Sequence, residues 1–268
     1  MKLAWLTDIH LNFLDDNERK SFYQHILKTN SDAIVLTGDI AEAPSLVELL
    51  AEIAENIGKP IYFILGNHDY YRGQINEVRE ALKKFCNTNN NLFFLSTAGL
   101  QKLDGQTILV GQDGWADGRL GDYANSRVSL NDSRMIADLF QANMVGKFKL
   151  LEKMQELADI DAKNLQNDLL KAITLQPKKI IALTHVPPFK EACMHEGKIS
   201  DDNWLPYFSS KIMGDILLQT AQENPTVEYL VLCGHTHSKA YYQPLPNLII
   251  KAGEAKYYQP QVQEIINV

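Results

Sequence analysis

Five short segments collect most of the side chains able to bind a metal: Asp8-Ile9-His10, Gly38-Asp39, Gly66-Asn67-His68-Asp69, Thr184-His185 and Gly234-His235-Thr236-His237. Asp8, His10, Asp39, Asn67, His185, His235 and His237 together offer seven nitrogen or oxygen donors and no thiolate. One tetrahedral zinc takes three or four protein ligands, so seven suit two ions that share a bridging carboxylate. A mixed imidazole and carboxylate set favours Mn²⁺, Fe or Zn²⁺ over Ca²⁺ and Mg²⁺, which prefer oxygen alone. Two such ions roughly 4 Å apart can clamp the attacking and departing oxygens of an in-line displacement and acidify a water. Phosphoester hydrolysis needs those features.

The elements that must position these residues are legible around them. Each segment follows a short apolar run, at residues 3–6, 33–36, 61–65, 180–183 and 229–233. Continuous rather than alternating apolarity predicts strands buried on both faces, and ligands bind at the carboxyl edge of open α/β sheets. Glycines 38, 66 and 234 stand where the chain must turn and approach a ligand closely. Helical spacing lies between the runs: residues 15–28 place Phe22, Ile26 and Leu27 on one face, and residues 45–57 place Leu46, Leu49, Leu50, Ile53 and Ile57 on another. Strand and helix alternate, which predicts an α/β layered fold. Short strands are expected near 92–95, 99–103 and 107–111, with a hairpin at Asp104-Gly105, and 111–122 reads as a loop. Residues 131–175 read as a mainly helical insertion or cap, broken near 145–146 or 159–161, and strand composition returns at 248–250 and 262–266. No repeat or linker interrupts the chain, so residues 1–268 are expected to form a single domain.

Composition narrows the classes. The chain of 268 residues is 45% apolar and 22% charged, with 26 Lys and Arg against 33 Asp and Glu, a net charge of −7. That balance argues against broad gripping of nucleic acid. Cys86, Cys193 and Cys233 are too few and too scattered for a disulfide framework. No run is long enough to span a membrane or to form a secretion signal, so the expected location is the cytoplasm.

The five motifs, in this order and each after an apolar run, resemble those of the calcineurin-like metallophosphoesterases. The resemblance spans residues 8–237 and implies a fold of two packed β-sheets flanked by helices, an αββα sandwich. It implies two divalent or trivalent metal ions, one held by Asp8, His10 and His237, the other by Asn67, His185 and His235, with Asp39 bridging. Asn67 and His68 would meet the phosphoryl group, and His68 would help the departing oxygen gain a proton, work suited to imidazole. Asp69, where the family often has glutamate, would accept a hydrogen bond from His68 and fix its tautomer. The implied activity is hydrolysis of a small phosphorylated substrate through a metal-bridging hydroxide, with a lean to small-molecule phosphodiesters. The alternatives are a phosphomonoesterase, a nuclease acting on DNA ends, and a non-catalytic metal-stabilised interaction module.

Other residues are candidates by position. Arg119, in a loop with Trp115 and Asp117, offers a planar fork for a phosphate. Phe189 follows His185-Val186-Pro187-Pro188 and is expected at the rim; Tyr70 and Tyr71 follow His68 and are placed similarly. His25 and His195 read as structural or surface residues, Cys233 as a small buried hydrophobe, and Asp201-Asp202 as a turn or cap.

Overall fold

Each apolar run becomes a strand whose alternate residues face two different layers, as a pleated backbone requires. The structure is a computed structural model describing residues 1–268. In the first sheet β1 (Lys2–Leu6), β2 (Ala33–Thr37), β3 (Ile61–Ile64) and β4 (Leu92–Phe94) run parallel, and β13 (Glu264–Asn267) pairs antiparallel with β1. In the second, β6 (Thr107–Gly111), β7 (Lys179–Leu183), β10 (Glu228–Cys233) and β12 (Leu248–Ala252) run parallel. It is edged antiparallel by β5 (Gln101–Lys102), through the expected hairpin, and by β11 (Ala240–Leu245). A two-stranded ribbon, β8 (Met194–His195) and β9 (Lys198–Ile199), stands apart.

Three apolar layers follow from that alternation. Leu3, Trp5, Val35 and Ile64 of the first sheet meet Leu109, Ile181, Leu183, Leu230 and Leu232 of the second in a buried inter-sheet core. The opposite faces carry helices. Ala4, Leu6, Ile34, Leu36 and Phe63 pack under α1 (Asp16–Lys28), α2 (Ala43–Ile57) and α3 (Ile75–Cys86). Ile108, Val110, Ile180, Ala182 and Val231 pack under α7 (Lys147–Thr174) and α9 (Lys211–Glu223). The fold is therefore α/β, two β-sheets packed together and flanked by helices. Sequence sets the ends locally: Asp15 and Glu18 form a reciprocal capping box at α1, and Gly58, at φ 63°, terminates α2.

The remaining helices are α4 (Leu95–Ala98), α5 (Asp132–Met135), α6 (Ala137–Val145) and α8 (Leu205–Phe208). Within residues 131–175 the chain breaks at Gly146, at φ 146°. It does not break at 159–161. There Asp161, fully buried, accepts from Arg79 (2.8 Å) and from the Gly114 N–H (3.0 Å), pinning the middle of α7 to α3 and to the end of β6. The front half of α7 packs with the 115–139 segment and its rear half on the second sheet. No helix is long and apolar enough to cross a membrane.

Candidate metal centre

Parallel register brings the carboxyl ends of β1, β2 and β3 level in one sheet and those of β7 and β10 level in the other. The segments that leave those ends meet at one edge of the sandwich. Asp8, His10, Asp39, His235 and His237 all hold left-handed backbone conformations, with φ between 41° and 71°. Such conformations cost non-glycine residues of order 1–3 kcal/mol each and cluster at functional sites. Close approach is also required: a Cβ at Gly66 would overlap the Asp39 carboxylate, and one at Gly234 the Asp8 carboxylate.

Asp8, His10, Asp39 and His237 place their ligand atoms within 4.8 Å of one another. His237 Nε2 lies 3.3 Å from Asp8 Oδ1 and 3.4 Å from His10 Nε2. Beside them, His185 Nε2 and His235 Nδ1 each stand 3.0 Å from Asn67 Oδ1. The far nitrogens of both imidazoles donate to backbone carbonyls, His185 Nδ1 to Thr37 at 2.8 Å and His235 Nε2 to Tyr207 at 2.9 Å. Asn67 Nδ2 donates to Asp132 Oδ1 at 2.8 Å, which turns the amide oxygen inward. The two remaining ring nitrogens and the amide oxygen thus converge on one point, an arrangement that a positive charge there resolves and that backbone-anchored imidazoles are built to serve.

The electrostatics ask for positive charge. Burial works against a protonated His185, but the Asp39 and Asp8 carboxylates outweigh it and push its pKa up to about 10. Burial likewise opposes ionised Asp8 and Asp39, and the surrounding imidazoles nevertheless hold both below the ordinary carboxylate range. Burial drives His10 down to about 4 despite Asp39, leaving it neutral and free to ligate. The donor set therefore fits a metal ion.

The sequence profile of the calcineurin-like phosphoesterases matches residues 1–239. The chain belongs to that family. It is accordingly a metal-dependent phosphoester hydrolase. Solved structures with a similar fold include the phosphopantetheinyl hydrolase PptH of Mycobacterium tuberculosis (TM-score 0.64, 11% identity, covering 96% of this chain and 90% of that one). Another is a dimetal phosphatase from Danio rerio (TM-score 0.61, 10% identity, 97% and 89% covered). Among curated proteins no sequence matches this phosphoesterase.

Not every residue singled out in the phosphoesterase sequence lies at this centre. His68 does: its Nε2 is 4.0 Å from Asp39 Oδ2, and its ring stacks on Tyr71 at 4.2 Å. Residues 68–70 form a 3₁₀ turn, in which side chains three apart eclipse. That geometry puts Tyr71, not Tyr70, beside His68. Tyr70 is fully buried, and its hydroxyl donates to Asp113 Oδ2 at 2.5 Å. Asp69 is turned away too. It accepts from the backbone of Ile40, Ala41 and Gly66, each at 2.8 Å, and not from His68. Burial and the Asp39 charge raise its carboxyl while those N–H groups counter the rise. Asp69 thus ties the loop after β2 to the loop after β3. Asp69→Ala should leave these buried donors unpaired and cost about 3 kcal/mol or more, read as a lower urea midpoint; an unchanged midpoint would refute the tie.

Arg119 is held by Asp117 at 3.2 Å and Asp159 at 2.8 Å, outside the centre. Its own carboxylates satisfy the fork that was expected to meet phosphate. Phe189 packs on Tyr242, with ring centroids 5.6 Å apart, and on the outer core of the second sheet. It is not among the residues that line the cavity over the donors. Asp201 does cap a turn, accepting from Asn203 and Trp204.

Several cavity residues went unnoticed or were set aside. A cavity of about 280 Å³ over the donors is lined by Tyr71, Asp132, His195, Phe208 and Tyr257, among others. Tyr257 lies beyond the last motif, yet its ring stands 4.8 Å from His10 and 5.1 Å from His237. Asp132 also accepts from the Tyr71 hydroxyl at 2.7 Å, so one carboxylate orients a donor and a wall. His195, read as structural or surface, is exposed and lines this cavity from the β8–β9 ribbon. Only three-dimensional proximity marks Asp132, His195, Phe208 and Tyr257, whereas Tyr71 stands next to the His68 motif.

Proposed function

We propose that this phosphoesterase hydrolyses a small phosphodiester in the cytoplasm. Asp8, His10 and His237 would hold one metal ion, Asn67, His185 and His235 a second, and Asp39 both. The observation that carries this reading is the placement of Asp39. Its Oδ2 lies 3.9 Å from His10 Nε2 on one side, and its Oδ1 lies 3.4 Å from His185 Nε2 on the other. Mn²⁺, Fe or Zn²⁺ would supply a water acidic near neutral pH and positive charge for the phosphoryl oxygens.

The chain's own groups do the rest. Asn67, oriented by Asp132, and His68, propped on Tyr71, flank the place where phosphorus would sit, and His68 delivers a proton to the departing oxygen. Tyr71, Phe208 and Tyr257 exclude water. No lysine or arginine lines the cavity, which favours the single charge of a diester over the double charge of a monoester. The same lack, with a net charge of −7, disfavours a nuclease. Three free cysteines suit a reducing compartment.

Chelation should abolish turnover of bis(4-nitrophenyl) phosphate, and reloading with Mn²⁺ should restore it. 4-Nitrophenyl phosphate should react with the lower kcat/KM. Turnover that survives complete chelation overturns the metal assignment, and a higher kcat/KM for the monoester overturns the diester preference. Metal-loaded protein that turns over neither would be an interaction module.

A further inference from the structure

A second cavity, about 220 Å³, lies between α6, α7 and the 115–130 loop. It adjoins the metal cavity, since Leu130 and Asp132 line both. Tyr207 links them as well: its carbonyl accepts from His235, while its side chain lines the second cavity. Nothing in the hydrolysis described above uses this space.

Its walls are chemically one-sided. Trp115, Tyr123, Leu139, Leu150, Met154 and Tyr207 are all buried and face it. Several polar groups of the lining are engaged. Lys147 Nζ donates to the carbonyls of Ala124 and Ser126, the Ser133 hydroxyl to Leu130, and the Tyr123 hydroxyl to Lys147. Arg127 stands exposed at the rim. An apolar cavity of about 150 Å³ takes benzene; this one has room for two fused rings.

We propose that the cavity receives a flat, uncharged aromatic ring system carried by the phosphodiester, the phosphorus resting at the metal centre and Asp132 lying between. The proposal rests on the phosphodiester reading and names its substrate class. Aromatic walls at Trp115, Tyr123 and Tyr207 suit stacking, burial of a charge among them is costly, and the Asp132 carboxylate on the shared wall repels an anion.

The test compares 1-naphthyl methyl phosphate with phenyl methyl phosphate, whose leaving phenols are similar in acidity. The naphthyl ester should have a kcat/KM about tenfold higher, through KM, the scale expected of a filled apolar pocket. Leu139→Trp, which fills the cavity, should bring the ratio close to one; Met154→Trp serves if that variant misfolds by circular dichroism. 1-Naphthol should bind the metal-free wild type, measured by its fluorescence, and bind the filled variant at least about tenfold more weakly. Equal kcat/KM for the two esters, or naphthol binding that the filling leaves unchanged, overturns the proposal. If neither ester is turned over, the phosphodiester reading fails by itself and naphthol binding still decides the cavity: filling-sensitive binding upholds it, no binding overturns it.

Discussion

Asp39→Ala should strip the centre of at least one metal ion and abolish turnover in the same step. Its two carboxylate oxygens face the two imidazole groups separately, toward His10 and toward His185, so no neighbour can replace it. Oδ1 also accepts from the His68 backbone N–H at 2.9 Å, which sets the turn carrying His68. The variant therefore loses a charge shared between two positions and the anchor of a third residue. Removing one member of a catalytic unit costs on the order of 10⁴ in kcat, and a loss of that size or greater is expected here. Elemental analysis after dialysis should fall from about two equivalents of metal, the count a bridging carboxylate supports, to one or none. Asp39→Asn separates charge from shape: it keeps the volume and one oxygen, and should retain part of the metal but little activity. A variant that keeps both equivalents would sink the bridging assignment, whatever its rate.

The motifs could be read because they depend on local chemistry. A buried parallel strand must be apolar throughout, and the loop at its carboxyl end must supply whatever the crevice needs, so Leu3–Leu6 followed by Asp8 and His10 carries the signal within a few residues. Two helices were illegible. Helix α3 buries Ile75 and Leu82 but also turns the charged Arg79 inward, toward Asp113 at 2.7 Å and Asp161 at 2.8 Å. A charged residue on the inner face erases the apolar periodicity that predicts a helix. Helix α9 buries Gly214 and Thr220 beside Met213 and Leu217, which blurs its stripe in the same way. Adjacency misled where the backbone was not extended: the 3₁₀ turn after Asn67 sends Asp69 and Tyr70 inward and leaves Tyr71 with His68. Arg119 carries its partner two residues upstream, in Asp117, and the second, Asp159, is 40 residues on. Long-range pairings of that kind leave no mark in spacing, and Asp132 and Tyr257 escaped notice for the same reason.

His68→Ala should do the reverse of Asp39→Ala, keeping the metal and losing the rate. The imidazole is within reach of the donors without standing among them: its Nε2 is 4.0 Å from Asp39 Oδ2, its ring centroid is 4.7 Å from that of His10, and it lines the cavity. Tyr71 beneath it and Tyr257 at 6.3 Å confine the ring without donating to it. A group so placed can pass a proton to the departing oxygen, a contribution of about 10²–10⁴ in rate. The dependence on leaving group distinguishes proton transfer from mere wall-building. An alkoxide needs the proton and a nitrophenolate scarcely does, so His68→Ala should slow an alkyl methyl phosphate far more than a 4-nitrophenyl methyl phosphate. A lost wall would slow both alike and act through KM. Equal losses for the two esters with metal content intact would therefore remove His68 from the proton's path and leave it a positioning residue. A steep difference confined to kcat would place the proton on His68 at the moment the bond to phosphorus breaks.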